Sequence, residues 1–318
     1  MAGSAIVAGG YLAAADIAGG MNMADEELLR RFRRCLAYYE APSWLKLFLN
    51  PARLIRNQYR TRVRPPPPGV LSRVRAFHLD RFTVVSGECV SEQIACYGIY
   101  EPALTRGFLQ LVRPGQRVLD VGMHLGYFTT LFAKLTGTEG EVHAFEPTPS
   151  TRELAANNVA QFPQVTVHPQ ALWSSAQELT FRDYGWRWMA FNSLAQSRLT
   201  DVKVVPTEYR VQTTTLDLVR RSMDQPISLV KIDAESAELE ILKGAEALLA
   251  GDRPVVSLEV GDPPQGPPSS RGLVRWFSER SYVPWEWREG RFRRHEALER
   301  YEYDNLVFAP AHQDLGAL

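Results

Sequence analysis

Apolar residues in the second half of the chain gather into short unbroken runs, and the stretches between them carry helical spacing. Arg117–Val121, Glu141–Phe145, Val165–His168, Leu229–Ile232 and Val255–Leu258 have the length and composition of strands, most of them covered on both faces. A helical pattern opens at Gly126 and runs to Leu135. Another spans Pro149–Gln161, with Ser150 or Thr151 placed to cap it. A third spans Glu235–Leu249 and stops at Gly251. Strand and helix alternating in this way predict an α/β fold built on a mostly parallel sheet. Arg271–Arg280 reads as a further helix. Tyr282–Trp287 and Asn305–Phe308 read as closing strands, antiparallel to each other.

Two stretches break the rhythm. Leu172–Pro226 is β-rich (Leu179–Phe181, Val202–Val205, Arg210–Thr214). It holds Trp173, Tyr184, Trp186, Trp188, Phe191 and the turn Asn192-Ser193, and inserted segments of this kind commonly carry recognition. Near the N-terminus, Asp25–Tyr39 reads as an amphipathic helix with Leu28, Leu29, Phe32, Leu36 and Tyr39 on its apolar side. Trp44–Tyr59 mixes apolar and basic residues and is interrupted at Pro51, giving two short helices or a bent one. The reading favoured here is a helical cap packed on the rest of the protein with its arginines in solvent. The alternative is an interfacial helix resting weakly on an anionic membrane or on a partner. The prolines at 65–68 form a stiff spacer, so residues 1–68 are expected to be an N-terminal extension and 69–318 the main domain. In that main domain Phe82–Val85 reads as a strand and Glu101–Leu111 as a helix.

Composition narrows the class. The 318 residues are 45% hydrophobic and 23% charged, with zero formal net charge, so the chain as a whole gives no electrostatic case for nucleic acid. Cys35, Cys89 and Cys96 follow no zinc or redox spacing, which predicts free thiols and a cytoplasmic protein. The first twenty residues lack a basic n-region and carry Asp16, against a signal peptide; a floppy extension or a start nearer Met21 or Met23 is expected. No apolar run is long enough to span a bilayer.

The chemistry centres on RVLDVGMHLGYF, residues 117–128: a strand, a glycine turn and a helix. Such a turn offers backbone N–H groups to a nucleotide-like ligand, and a Cβ at either glycine is expected to crowd that ligand. The spacing is Asp120-x-Gly122-x-x-x-Gly126, and His124 stands where a dinucleotide site has its middle glycine. That loss disfavours a pyrophosphate and favours S-adenosylmethionine (SAM). Glu146, one half-unit on, can accept hydrogen bonds from ribose hydroxyls. His124 either bonds the methionine carboxylate or packs. Asp120, Glu146, Asp233 and Glu259 each fall at a predicted strand end, forming an acidic rim where open α/β sheets bind ligands.

The segments DVGMHLGYFTTLFAKL, AFEPTPSTRELAANN, VHPQALWSS, TTTLDLV, VKIDAESAELEILKGAEALL and RPVVSLEV together resemble FkbM-family SAM-dependent methyltransferases over roughly Tyr97 to Pro310. The resemblance implies a Rossmann-like class I methyltransferase fold, with a seven-stranded sheet, one strand antiparallel near its edge, and flanking helices. It implies that Asp120, Gly122 and Gly126 form the cofactor loop, that Glu146 holds the ribose, and that Gln170 and Ala171 neighbour the adenine. Two positions depart from the family pattern: His124 replaces asparagine of DVGANIG, and Ser236 replaces glycine of DVEGAE.

The resemblance further implies O-methylation of a sugar, glycoside, polyketide or other secondary metabolite. Asp233 is the first candidate for the base that takes the hydroxyl proton, with Glu235 and Glu259 as neighbours. A divalent cation on Asp233 and Glu259 is the alternative; a metal-free base is preferred. The tryptophans of the insertion suit stacking on a sugar ring or forming a lid. Glu238 and Glu240 read as helix-surface charges, and His143 and His168 as structural. The N-terminal zone is expected to complete the pocket or a homodimer interface. A nicotinamide-dependent oxidoreductase and a non-catalytic SAM-fold binding partner are the competing readings.

Overall fold

The computed structural model describes residues 23–192, 194, 205–262 and 269–318. The floppy extension expected over the first twenty residues, Ser193 and the segment 202–204 lie outside the described residues. Among the described residues thirteen strands are formed: β1 Leu71–Val74, β2 Phe82–Val85, β3 Arg117–Val121, β4 Glu141–Phe145, β5 Val165–His168, β6 Ala171–Leu172, β7 Glu178–Asp183, β8 Thr207–Thr214, β9 Leu229–Ile232, β10 Val255–Val260, β11 Tyr282–Arg288, β12 Arg291–Arg294 and β13 Asp304–Pro310. The helices are α1 Met23–Glu40, α2 Ser43–Leu49, α3 Pro51–Gln58, α4 Cys89–Tyr97, α5 Pro102–Leu111, α6 Tyr127–Thr136, α7 Pro149–Val159, α8 Leu216–Arg221, α9 Glu238–Lys243, α10 Glu246–Gly251 and α11 Ser270–Ser278.

The main sheet runs β12-β11-β13-β10-β9-β3-β4-β5. From β10 to β5 every neighbour is parallel, and β13 lies antiparallel between β10 and β11. This is the Rossmann-like class I methyltransferase arrangement with an eighth strand, β12, added at the edge. β12 has no hydrophobic run to announce it, because Phe292 alone of RFRR is buried and the arginines blunt an open edge. Its hairpin with β11 turns at Glu289 and Gly290, both at positive φ, as a two-residue β-turn requires.

Register sets the site. Val121 pairs with Phe145 on one side and Ile232 on the other, and Ile232 pairs with Leu258. The residues that follow, Gly122, Glu146, Asp233 and Glu259, therefore stand level along one edge of the sheet. Strand order reverses between β3 and β9, the place where such sheets open a ligand crevice.

Packing supplies the stability on both faces. Leu119, Val121, Val230 and Ile232 meet Ile241, Leu242 and Leu248 on one side, while Phe108, Phe128 and Phe132 pack edge-on or stacked with Val118 and Leu229 on the other. Burying each such side chain contributes about 1.5–3 kcal/mol. Helix α1 joins this second cluster through Leu29 and Phe32, whose ring meets Phe77 edge-on at 5.2 Å. On α1, Tyr38 is buried, and Tyr39 of the expected stripe is more exposed while its ring meets Tyr97 edge-on at 5.0 Å.

Several expectations change. The helix expected over Glu235–Leu249 is two short ones, α9 and α10, and Gly251 lies inside α10, which Asp252 closes. A Cβ at Gly244 would sit 2.3 Å from the Trp173 carbonyl, and the Gly244 carbonyl accepts the Asp217 N–H at 2.9 Å, so the chain breaks there to admit another segment. Thr148, not Ser150 or Thr151, is the N-cap of α7, with Pro149 as its first residue. Helix α4 lacks the usual Ser, Thr, Asp or Asn cap. The buried Glu88 carboxylate accepts from Val90 N and Ser91 N instead. The break at Pro51 gives two helices, α2 and α3, and neither buries a residue. Their apolar side chains therefore do not cap the domain as expected. No described helix is long and apolar enough to cross a membrane, and the three cysteines are free.

Candidate active site

The rim encloses a cleft of about 1000 Å³, counting its solvent-open part. Gly122, His124, Glu146, Ala171, Asp233, Glu235 and Glu259 line it. Asp120, Gly126 and Gln170 do not. Asp120 is fully buried beneath the cleft, where Oδ2 accepts from the Thr129 hydroxyl at 2.6 Å and Oδ1 lies 3.4 Å from the Lys231 ammonium. From there it is placed to position Lys231.

The fold itself already requires both glycines. A Cβ at Gly122 would stand 1.9 Å from the Asp233 carbonyl oxygen, and at Gly126 it would press on Met123 and Val159; both residues have positive φ. The turn thus brings β3 and the end of β9 into contact. Its residue His124 also has a positive φ of 51° and donates its N–H to Glu146 Oε2 at 3.1 Å. Its Nε2 is buried without a hydrogen-bond partner. Burial lowers the imidazole below its ordinary range, so the ring is neutral and carries one donor.

Glu146 projects from the end of β4. Its other oxygen accepts Thr148 N–H at 2.9 Å, and lone pairs remain on both oxygens. Burial pushes this carboxyl up to about 7 against its three hydrogen bonds. Phe145, Leu172, Phe181, Met189 and Leu194 supply apolar wall nearby. This end of the cleft thus offers an acid with free lone pairs, an apolar wall beside it and an unsatisfied imidazole across the turn.

The acid cluster lies at the other end of the cleft. One carboxylate oxygen from each of Asp233, Glu235 and Glu259 falls within 4.8 Å of the others. Lys231, absent from the candidates read from sequence, is 3% exposed and places Nζ 3.3 Å from Asp233 Oδ2. Burial opposes the Asp233 charge, but Lys231 and a hydrogen bond with Glu259 more than offset it and hold the carboxyl below its ordinary value. Burial likewise opposes the Lys231 charge, and Asp233, Asp120 and Glu101 outweigh it. A lysine in the apolar run LVKI was the available signal.

Two further groups carried no such signal. Glu101 sits at positive φ before Pro102, and burial followed by the Asp233 charge raises its carboxyl to about 7. The Tyr303 hydroxyl donates to it at 2.8 Å, and Tyr303 lines the cleft. Glu238 is not a surface charge. It is buried, and Oε1 accepts from Ala234 N and Ser236 N, holding the loop that carries Glu235. Glu240 pairs with Lys243 on the surface. His143 and His168 bond each other at 2.9 Å outside the cleft. Of the insertion, Met189, Ala190, Asn192 and Leu194 face the cleft, while Trp186 packs over Gly69 and Gly87. The expected tryptophan platform is not in the lining.

The family model of the methyltransferase FkbM domain matches residues 120–284, just over half of the chain. The chain belongs to the FkbM family of SAM-dependent methyltransferases. That membership removes the oxidoreductase reading of the glycine turn. Among solved structures, the chain is similar to a methyltransferase FkbM from Methylobacillus flagellatus KT at 14% identity and TM-score 0.38, covering 70% of this chain and 55% of that one. It is also similar to a SAM-dependent O-methyltransferase from Thermotoga maritima at 14% identity and TM-score 0.37, covering 78% and 80%. A third is fibrillarin from Aeropyrum pernix with bound SAM, at 10% identity and TM-score 0.39, covering 65% and 72%. A search of curated proteins found no match.

Proposed function

We propose that the protein transfers the methyl group of SAM to a hydroxyl of a small molecule or glycan, with Asp233 as the base. The observation that carries this reading is the Asp233 carboxylate, held ionised by Lys231 in the same cleft as Glu146 and His124. Glu146 would hold the ribose hydroxyls, and Ala171 with Phe145 and Leu172 would bound the adenine. His124 Nε2 would donate to the amino-acid carboxylate. When bound, SAM supplies an electrophilic methyl on a sulfonium.

The protein's own contribution is alignment and proton removal. Asp233 accepts the proton as the acceptor oxygen attacks, and Lys231 beneath it keeps the charge available at neutral pH. Glu235 and Glu259 flank Asp233 and can orient the acceptor by hydrogen bonds. The apolar lining from Met189 and Leu194 limits water around the reacting oxygen. Asp233→Asn tests the assignment: methyl transfer from labelled SAM to host metabolite and glycan fractions should fall on the order of a hundredfold or more. SAM affinity by calorimetry should stay near wild type. Full activity in this variant would remove Asp233 from the role.

The proximity of Asp233, Glu235 and Glu259 supports a second reading, in which a hard divalent cation acidifies the hydroxyl. Lys231 already supplies a positive charge to Asp233, which favours the metal-free base. Activity that is lost to EDTA and restored by magnesium would select the cation reading.

A further inference from the structure

Helices α2 and α3 are built the wrong way round for a cap. On α3 and the turn after it, three polar side chains face the protein: Arg53 Nη1 reaches Cys35 Sγ at 3.7 Å, Asn57 Nδ2 donates to the Cys96 carbonyl at 2.8 Å, and Arg60 pairs with Glu92 at 3.0 Å. Leu45 and Leu54 are half-buried, and the other large apolar side chains face out. Trp44 is 68% exposed, Phe48 76%, Ile55 66% and Val63 70%. Ile55, Tyr59 and Val63 recur every four residues, so they lie along one face. Isolated exposed apolar residues are ordinary, but a contiguous set on adjoining helices marks an interaction surface.

Charge identifies the occupant. Residues 41–79 contain eight Lys or Arg and no Asp or Glu, in a chain whose formal net charge is zero. Arg56, Arg62 and Arg64 pair with no acid among the described residues. A second copy of this chain would set these cations against one another, which disfavours self-association through this face. Arginines interleaved with exposed Trp, Phe, Ile and Tyr suit a fluid acyl phase beneath anionic headgroups.

We propose that α2, α3 and the turn to Val63 form a docking surface for an anionic lipid bilayer. The surface stands apart from the cleft and does not depend on the methyl-transfer reading. Sedimentation of the full chain with vesicles tests it, using phosphatidylcholine alone and phosphatidylcholine mixed with phosphatidylglycerol. The chain should sediment with the mixed vesicles, weakly or not at all with phosphatidylcholine, and less as salt is raised. Phe48→Ser with Ile55→Ser should lower partitioning on the order of tenfold or more with an unchanged circular-dichroism spectrum. Arg56→Gln with Arg62→Gln should remove most of the salt dependence. The proposal is overturned if the chain binds neither vesicle, or if the apolar pair leaves binding unchanged. It is equally overturned if soluble polyglutamate binds as tightly as the vesicles, which would assign the surface to an acidic peptide, or if the apolar pair abolishes a dimer instead.

Discussion

The Lys231 ammonium lies 3.3 Å from an oxygen of Asp233 and 3.4 Å from an oxygen of Asp120, so one buried cation serves the floor of the cleft and its reactive rim. Lys231→Met leaves Asp120 charged, buried and unpaired. Breaking such a pair should cost about 3–5 kcal/mol, read as a fall in the urea midpoint at neutral pH. Asp120→Asn combined with Lys231→Met should recover much of that stability and little of the activity. A single variant as stable as wild type would show that the pair holds nothing together.

Glu146→Gln should weaken SAM binding. An acceptor charge lost from hydrogen bonds to ligand hydroxyls costs about 1.5–3 kcal/mol, or roughly 10- to 150-fold in Kd by calorimetry. His124→Ala should weaken binding as well, whereas His124→Asn keeps a donor and tolerates the positive φ. Equal affinities for the alanine and asparagine variants would assign the imidazole to packing.

Stability should depend on pH through the same carboxyls. Burial raises Glu101 and Glu146 from 4.5 to about 7. Between those values the folded chain keeps protons that the unfolded chain has released. Their stabilising contribution is thus full below pH 4.5 and is lost as pH rises through 7. His78, lowered by burial from 6.5 to about 3, contributes the opposite slope between those two values. The comparison that isolates the acids is Glu101→Gln against wild type, by thermal midpoint across this range. The variant should gain relative stability as pH rises; parallel curves would count against the assignment.

Ser236 occupies the left-handed region at φ 77°, where the family carries glycine. A Cβ there costs about 1–2 kcal/mol, partly offset by the greater freedom of glycine in the unfolded chain. Ser236→Gly should therefore stabilise the protein by about 0.5–1 kcal/mol, with a higher urea midpoint. A lower midpoint would mean that the serine side chain secures more than its conformation costs.

The central strands were legible in the residues alone. β3, β4, β5 and β9 begin and end where their hydrophobic runs do; β3, β4 and β9 lie inside the sheet and need a short continuous apolar segment, while β5 is its half-exposed edge. Glu146 and Asp233 were legible for the same reason, since a polar residue after such a run marks the sheet edge. Tertiary structure alone decided what those residues meet. Gly122 is required by the Asp233 carbonyl, more than a hundred positions later in the chain, and Gly244 by the carbonyl of Trp173. Lys231 was no candidate in the sequence; its role appears only because β3 places Asp120 beside it. Glu238 looked exposed until the loop at 234–236 turned its N–H groups onto it. Periodicity reports which face of an element is buried; it holds no information about which distant backbone or charge arrives at that face, and the chemistry of this cleft is made of such arrivals.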